Sequence, residues 1–213
     1  MADEIQLPET FPDYSSQEYW DLRYSSESET TYDWLVPYSQ LRSYILARLD
    51  ENLESEILNI GCGNSTLAEE LYLDGFKNIT NIDFSSALIQ NQTKRFQNYE
   101  EMDFTLMDAT SIEFPNDCFD LILDKCTLDC ILCGENAFQR ASMMVQSVYR
   151  VLKSGGVYIL VSYGMPDTRI GYLKHKLLNW HIEQVKIPKV PLDQFSSLEL
   201  SQFHYVYICT KYD

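Results

Sequence analysis

From Glu56 onward the chain alternates short apolar runs with amphipathic stretches, and this alternation restricts the available folds more than any other feature. Residues 57–60 read as a strand ending at Gly61, and residues 65–74 as a helix stopped by Gly75. Residues 78–82 and 85–96 repeat the unit, and residues 103–107 and 119–123 are the third and fourth strands. Phe138, Ala141, Val145, Val148 and Leu152 recur at spacings of 3, 4, 3 and 4, which marks one face of a long helix ended by Ser154, Gly155 and Gly156. Residues 157–162 are a buried fifth strand. Residues 180–186 and 205–210 are two further strands joined by a long helix-poor loop. Strands and helices alternating in this way predict an α/β doubly wound domain. Its single sheet is seven-stranded and mostly parallel, with helices on both faces and an antiparallel C-terminal edge strand.

The first fifty residues are different in texture. Residues 1–14 form an acidic lead, Ser15, Ser16, Gln17 and Glu18 make a capping-box pattern opening a short helix through Tyr24, and residues 25–30 are a polar loop. Residues 37–50 predict a helix with Tyr38, Leu41, Ile45 and Leu49 on one face. The expected organisation is an N-terminal helical extension over 1–50 and the alternating domain over 51–213. At 213 residues the chain is long enough to bury a large core without a disulfide or metal staple.

Charge narrows the partners. With 16 Lys and Arg against 32 Asp and Glu the net charge is −16, which repels nucleic-acid phosphates and anionic lipid and suits a basic partner. The N-terminus has no basic and apolar leader, and no apolar run approaches the roughly 18 residues of a membrane span. Six cysteines in such a chain read as reduced thiols of a cytoplasmic protein, expected to be a monomer.

In open α/β sheets ligands bind beyond the carboxyl ends of the strands. Gly61 and Gly63 follow strand one, Asp83 follows strand two, Asp108 follows strand three, and Asp124 and Lys125 follow strand four. The glycines allow a tight turn and a close approach to a ligand. Asp83, 20 residues past Gly63, stands where an acid accepts both hydroxyls of an adenosine ribose. A dinucleotide fingerprint requires a third glycine where this chain has Thr66. An adenosine cofactor without pyrophosphate fits better, and S-adenosylmethionine is one, with a sulfonium drawn to aromatic faces and acids.

These residues also carry a resemblance. The stretch Leu58-Asn-Ile-Gly-Cys-Gly-Asn-Ser65, with Asp83, Asp108 and Phe119-Asp-Leu-Ile-Leu-Asp124, resembles the class I S-adenosylmethionine-dependent methyltransferases. Glu18-Tyr-Trp-Asp-Leu-Arg-Tyr24, Tyr32-Asp-Trp34 and Asp124-Lys-Cys-Thr-Leu-Asp129 resemble, more narrowly, the methyltransferase-like enzymes that modify lysines of translation elongation factor 1-alpha. The family patterns are Glu-Tyr-Trp-Asp-x-Arg-Tyr, Tyr-Asp-Trp and Asp-Lys-Gly-Thr-Leu-Asp, and the match runs from about Glu18 to Val161. The resemblance implies a Rossmann-like fold in which Trp20, Tyr24 and Trp34 fold over the cofactor. It implies that Gly61 lines the methionine end, Asp83 holds the ribose, Phe84, Asp108 and Ala109 frame the adenine, and Lys125 enters from the strand-four loop. The implied reaction is methyl transfer to a lysine of a basic protein, with elongation factor 1-alpha as candidate substrate. Asp124 and Asp129 are the candidates to orient the amine or take its proton. A small-molecule methyltransferase and a catalytically inactive cofactor-binding scaffold are the alternatives.

Two departures from the pattern stand out. Leu58 and Asn59 occupy the place where many class I enzymes carry an acid, and Cys126 replaces the family glycine. Cys126, Cys130 and Cys133 share the spacing of a radical-enzyme iron–sulfur site. Only 80 residues follow them, too few for the barrel such enzymes need, so buried small thiols are the expected reading and no metal is expected.

Overall fold

The computed structural model describes residues 12–26, 30–189 and 202–212. Most of the expected acidic lead, the centre of the 25–30 loop and most of the loop before Tyr205 lie outside the described residues. The elements run α1 (Gln17–Ser26), α2 (Tyr38–Leu49), β1 (Ile57–Ile60), α3 (Leu67–Leu73), β2 (Ile79–Asp83), α4 (Ser86–Arg95) and β3 (Met102–Leu106). They continue β4 (Phe119–Lys125), α5 (Thr127–Ile131), α6 (Ala137–Val151), β5 (Leu152–Ser162), α7 (Pro166–Leu173), β6 (Trp180–Pro188) and β7 (Phe203–Lys211).

The seven strands form one sheet in the order β3-β2-β1-β4-β5-β7-β6. The first five pair in parallel, and β7 pairs antiparallel with both β5 and β6. The antiparallel strand is therefore inside the sheet, and β6 forms the edge. This refines the expected edge strand: sequence order says nothing of which C-terminal strand docks first on β5.

Period-two alternation divides the core between the two faces. On β4, Leu121 and Leu123 join one cluster and Ile122 the other. The first face is covered by α2 and α3 through Leu41, Ile45, Leu67 and Leu71. The second is covered by α6 through Ala141, Val145 and Val148 of the expected stripe together with Met144, whereas Phe138 is exposed and Leu152 opens β5. All four residues of β1 are buried, so it reads as a continuous apolar run broken only by Asn59. Asn59 Nδ2 donates to Asn81 Oδ1 at 3.0 Å and Asn81 Nδ2 to the Asp103 carbonyl at 3.2 Å. A satisfied amide ladder thus spans β1, β2 and β3 at a depth where an unpaired polar group would be costly.

Helix ends follow local chemistry. Ser16, one residue later than the capping-box pattern places it, accepts from the Tyr19 N–H at 3.4 Å, because Ser15 is held by Asp13 instead. Ser85 caps α4 by accepting from the Leu88 N–H at 3.3 Å. The Ser154–Gly156 stretch does not end α6. The helix stops at Val151, and these residues open β5 beside a register shift between Phe119 and Leu121.

Candidate functional site

The carboxyl ends of β1, β2 and β4 and the N-terminal segments enclose one cavity of about 940 Å³. Trp20 and Tyr24 from α1 and Trp34 from the following segment form an aromatic wall. Gly61 and Gly63 line it after β1, Asp83 and Phe84 after β2, Asp108 and Ala109 after β3, and Lys125 at the end of β4. All ten residues expected at a cofactor site therefore meet around one space. Of the two expected catalytic acids, Asp129 lines the cavity and Asp124 does not.

Packing of α1 onto α4 builds the aromatic wall. Asp21 Oδ1 accepts from Ser85 Oγ at 2.6 Å and from the Ala87 N–H at 3.3 Å, and Asn91 Nδ2 donates to the Tyr24 carbonyl at 3.1 Å. Trp20 stacks on Tyr24 with ring centres 5.5 Å apart and meets Trp34 edge-on at 6.3 Å. The Arg23 guanidinium lies 5.6 Å from the Trp20 ring and 5.3 Å from the Trp34 ring, tying the helix to the segment after it.

The floor is the β1–α3 turn. Gly61 has φ +58°, and a Cβ there would stand 2.1 Å from Thr127 Oγ1, which donates to the Ile60 carbonyl at 2.9 Å. Only glycine satisfies both the backbone and the space. Gly63 is also left-handed, and a Cβ on it would meet the Tyr24 hydroxyl at 3.1 Å.

Asp83 is buried, with Oδ2 accepting from the Gly63 N–H at 3.1 Å and Oδ1 from the Ser85 N–H at 2.9 Å. Burial, aided by nearby Asp21, pushes its pKa up to about 6 against these hydrogen bonds. Each oxygen retains a lone pair for a further donor, as recognition of a pair of ribose hydroxyls requires. Asp108 is half exposed, accepts from the Thr110 N–H at 2.8 Å and stands 4.0 Å from Arg140. Two acids at or just past strand ends, a turn with glycine at 61 and 63 and an aromatic wall fit an adenosine-bearing sulfonium.

Two assignments change with the geometry. Asp124 is 1% exposed, and its carboxylate accepts from Tyr158 Oη at 2.9 Å and from the Thr127 N–H at 2.8 Å. Burial pushes its pKa up to about 7. It caps α5 from beneath the cavity wall and presents no face to a substrate, so it is not placed to take a proton from an amine. Asp129 is engaged at both oxygens, by Ser162 Oγ at 2.6 Å, Arg169 Nη2 at 2.6 Å and the Tyr163 N–H at 2.8 Å. Burial pushes the Lys125 pKa down while its ammonium is engaged by Asp33.

Several lining residues escaped the sequence. Arg140, Arg169, Lys189 and His204 come from α6, α7 and the β6–β7 end, far from any motif. Asp33 was visible inside Tyr32-Asp-Trp34, where a charged residue between two aromatics was the available signal. Among the described residues no group of three or more His, Cys, Asp and Glu side chains could hold a metal ion. The Cys126 thiol contacts that of Cys130, and its pKa is raised far above the ordinary range by this hydrogen bond and by burial. Its φ of +77° explains why glycine is the easier residue there.

Comparison with known proteins agrees with this geometry. The family described as "Methyltransferase domain" matches residues 52–200. EEF1A lysine methyltransferase 4 of Mus musculus is 30% identical over 186 residues, covering 83% of this chain and 72% of that protein. The eEF1A lysine and N-terminal methyltransferase of Homo sapiens is 36% identical over 167 residues, covering 73% of this chain but only 22% of the larger relative. Among solved structures, N-methyltransferase NodS of Bradyrhizobium japonicum WM9, with S-adenosyl-L-homocysteine bound, shares the fold at TM-score 0.67 and 18% identity, with 95% and 100% of the two chains covered. With the family match spanning the same strand ends that enclose the cavity, the chain belongs to the S-adenosylmethionine-dependent methyltransferases.

Proposed function

We propose that the protein transfers methyl groups from S-adenosylmethionine to a lysine of a protein substrate, and that this substrate is elongation factor 1-alpha. The observation that carries the reading is the convergence of Gly61, Asp83 and the Trp20–Tyr24–Trp34 wall on one cavity, in a chain 30% identical over 83% of its length to a protein named for that modification. In this reading residues 1–50 act as a lid on a methyltransferase domain over 51–213. Asp83 holds the ribose hydroxyls, Gly61 and Gly63 admit the amino-acid end of the donor, and Phe84, Asp108 and Ala109 frame the adenine.

When bound, S-adenosylmethionine supplies an electrophilic methyl carbon on a sulfonium. The chain's own contribution is position: an in-line displacement gains most of its rate from holding the amine against that carbon. Aromatic walls exclude water and so lower the pKa of an incoming lysine, favouring the neutral amine that attacks. Asp124 and Asp129 act by position, Asp124 by capping α5 and Asp129 by fixing Arg169, Ser162 and the Tyr163 backbone. The net charge of −16 draws a basic substrate. In this reading the protein works in the cytoplasm, which the relatives' named substrate supports, and acts as a monomer.

The test incubates purified protein with methyl-tritiated S-adenosylmethionine and a lysate lacking the endogenous enzyme. A labelled band at the mass of elongation factor 1-alpha, absent with Asp83→Ala, supports the proposal. A gel without a labelled protein refutes it, and a band of another mass transfers the reaction to another protein.

A further inference from the structure

The two N-terminal pieces of the cavity wall are fastened differently. Helix α1 is bolted to α4 by Asp21 and Asn91, whereas the Tyr32–Trp34 segment rests on the turn after β1. Asn64 Nδ2 donates to the Thr30 carbonyl at 3.0 Å, and the Tyr32 N–H donates to the Asn64 carbonyl at 3.3 Å. Between Tyr32 and Trp34, Asp33 turns inward. Its Oδ1 accepts from Lys125 Nζ and from Ser65 Oγ, and its Oδ2 lies 2.7 Å from Thr66 Oγ1. The Thr66 hydroxyl also lies 2.8 Å from Glu70 Oε2, and its single proton serves one carboxylate at a time.

The Lys125 side chain is only 6% exposed and that of Asp33 only 23%, so this pair is largely withdrawn from water. A desolvated pair of this kind is a poor source of stability, since apolar groups of similar volume generally serve as well or better. What the pair does provide is a fixed distance. It ties the end of β4, the turn after β1 and the segment carrying Tyr32 and Trp34 to one another, all on the cavity wall.

We propose that Lys125 and Asp33 are positioning residues forming a clasp that holds Tyr32 and Trp34 across the methyl donor, and that Lys125 acts on the donor through Asp33 rather than by touching it. The inference rests on the reading of the cavity as a methyl-donor site. It replaces direct contact by Lys125, which the family resemblance implies, with an indirect role. Because closing the segment and binding the donor then share one set of contacts, the two equilibria are linked, and each favours the other.

The experiment measures S-adenosylhomocysteine binding calorimetrically for the wild type, Lys125→Met, Asp33→Asn, the double variant and Lys125→Arg. Each single substitution to a neutral residue should weaken binding about tenfold or more, and the double variant no further than the weaker single, as expected of partners in one interaction. Lys125→Arg keeps a cation for Asp33 and should bind within a few-fold of wild type. In a Trp180→Phe background, where Trp20 and Trp34 are the remaining tryptophans, the emission change on adding S-adenosylhomocysteine should be lost with the clasp. Far-UV circular dichroism and urea melts select the variants that are folded, and Lys125→Arg with Asp33→Asn decides the matter if Lys125→Met is not. A wild type that binds no S-adenosylhomocysteine overturns the donor-site reading and the clasp together. Wild-type binding with an Asp33→Asn variant of equal affinity overturns the clasp alone. Losses that multiply in the double variant also overturn it, because they give Lys125 a contact of its own.

Discussion

Replacing Asp124 with Asn isolates the cost of a buried carboxylate in this fold. In the folded protein its pKa is raised from 3.8 to about 7, chiefly by burial, so folding favours the protonated form. The stabilising contribution of the proton is complete below about pH 3.8 and is lost as pH rises through 7. From pH 5 toward pH 7 the folded chain largely holds this proton and the unfolded chain does not, so stability falls at first by about 1.4 kcal/mol per pH unit, and by about 2.3 kcal/mol by pH 7, where the folded group is half titrated. Asn has no proton to lose. Its carbonyl can accept from the Thr127 N–H at the same place, and its amide can donate to the Tyr158 hydroxyl, which rotates to accept. Asp83 shares the direction of the shift but is common to both proteins, so it cancels in their difference. Urea unfolding of wild type and Asp124→Asn at pH 5, 6, 7 and 8, followed by far-UV circular dichroism, gives that difference directly. The variant should gain on the wild type by about 2–3 kcal/mol from pH 5 to pH 8. A difference constant to within about 0.5 kcal/mol would show that burial does not govern this carboxyl, and would remove the argument that it is a structural cap.

Three further outcomes can be checked. Gly61→Ala combines a left-handed backbone with a Cβ 2.1 Å from Thr127 Oγ1, and should cost about 2–4 kcal/mol, read as a lower midpoint in differential scanning calorimetry. Arg169→Met strips the guanidinium from Asp129, whose side chain is 11% exposed, and should destabilise by about 3 kcal/mol in urea melts while leaving S-adenosylhomocysteine affinity within a few-fold. At φ +77°, Cys126→Gly should stay within about 1 kcal/mol of wild type, whereas the β-branched Cys126→Val should lose about 1–3 kcal/mol, measured side by side in thermal unfolding.

The sequence made the repeating architecture readable because each buried strand is short, apolar and punctuated. The expected strand over 57–60 coincides with β1, and the middle of the expected stripe, Ala141, Val145 and Val148, is the face of α6 that meets the sheet, while its ends fail because Phe138 is exposed and Leu152 opens β5. Helices α5 and α7 escaped notice because five and eight residues are too few for a helical period to emerge. At the site, residues within motifs are legible because motif spacing follows strand ends: Gly61 follows β1, Asp83 ends β2 and Asp108 lies just past β3. Asp124 departs from its expected place on the cavity wall for the same reason. A strand end places a residue near the cavity, but the alternation of side chains decides whether it points in, and Asp124 shares its face with Ile122 and the buried Tyr158 while Lys125 takes the other. Arg169 and His204 come from segments without a motif, and only the folded sheet carries them to the wall.

The inward position of β7 has a consequence for how the molecule is made. Residues 203–211 pair with β5 on one side and β6 on the other, so a nascent chain still lacking them leaves two partners without their hydrogen bonds. During that interval β5 presents the edge Val157, Tyr158, Ile159, Leu160 and Val161, an apolar, β-prone run without a charge. Synthesis therefore leaves an aggregation-prone edge uncovered until β7 has left the ribosome, and a stop codon before Phe203 would make that exposure permanent.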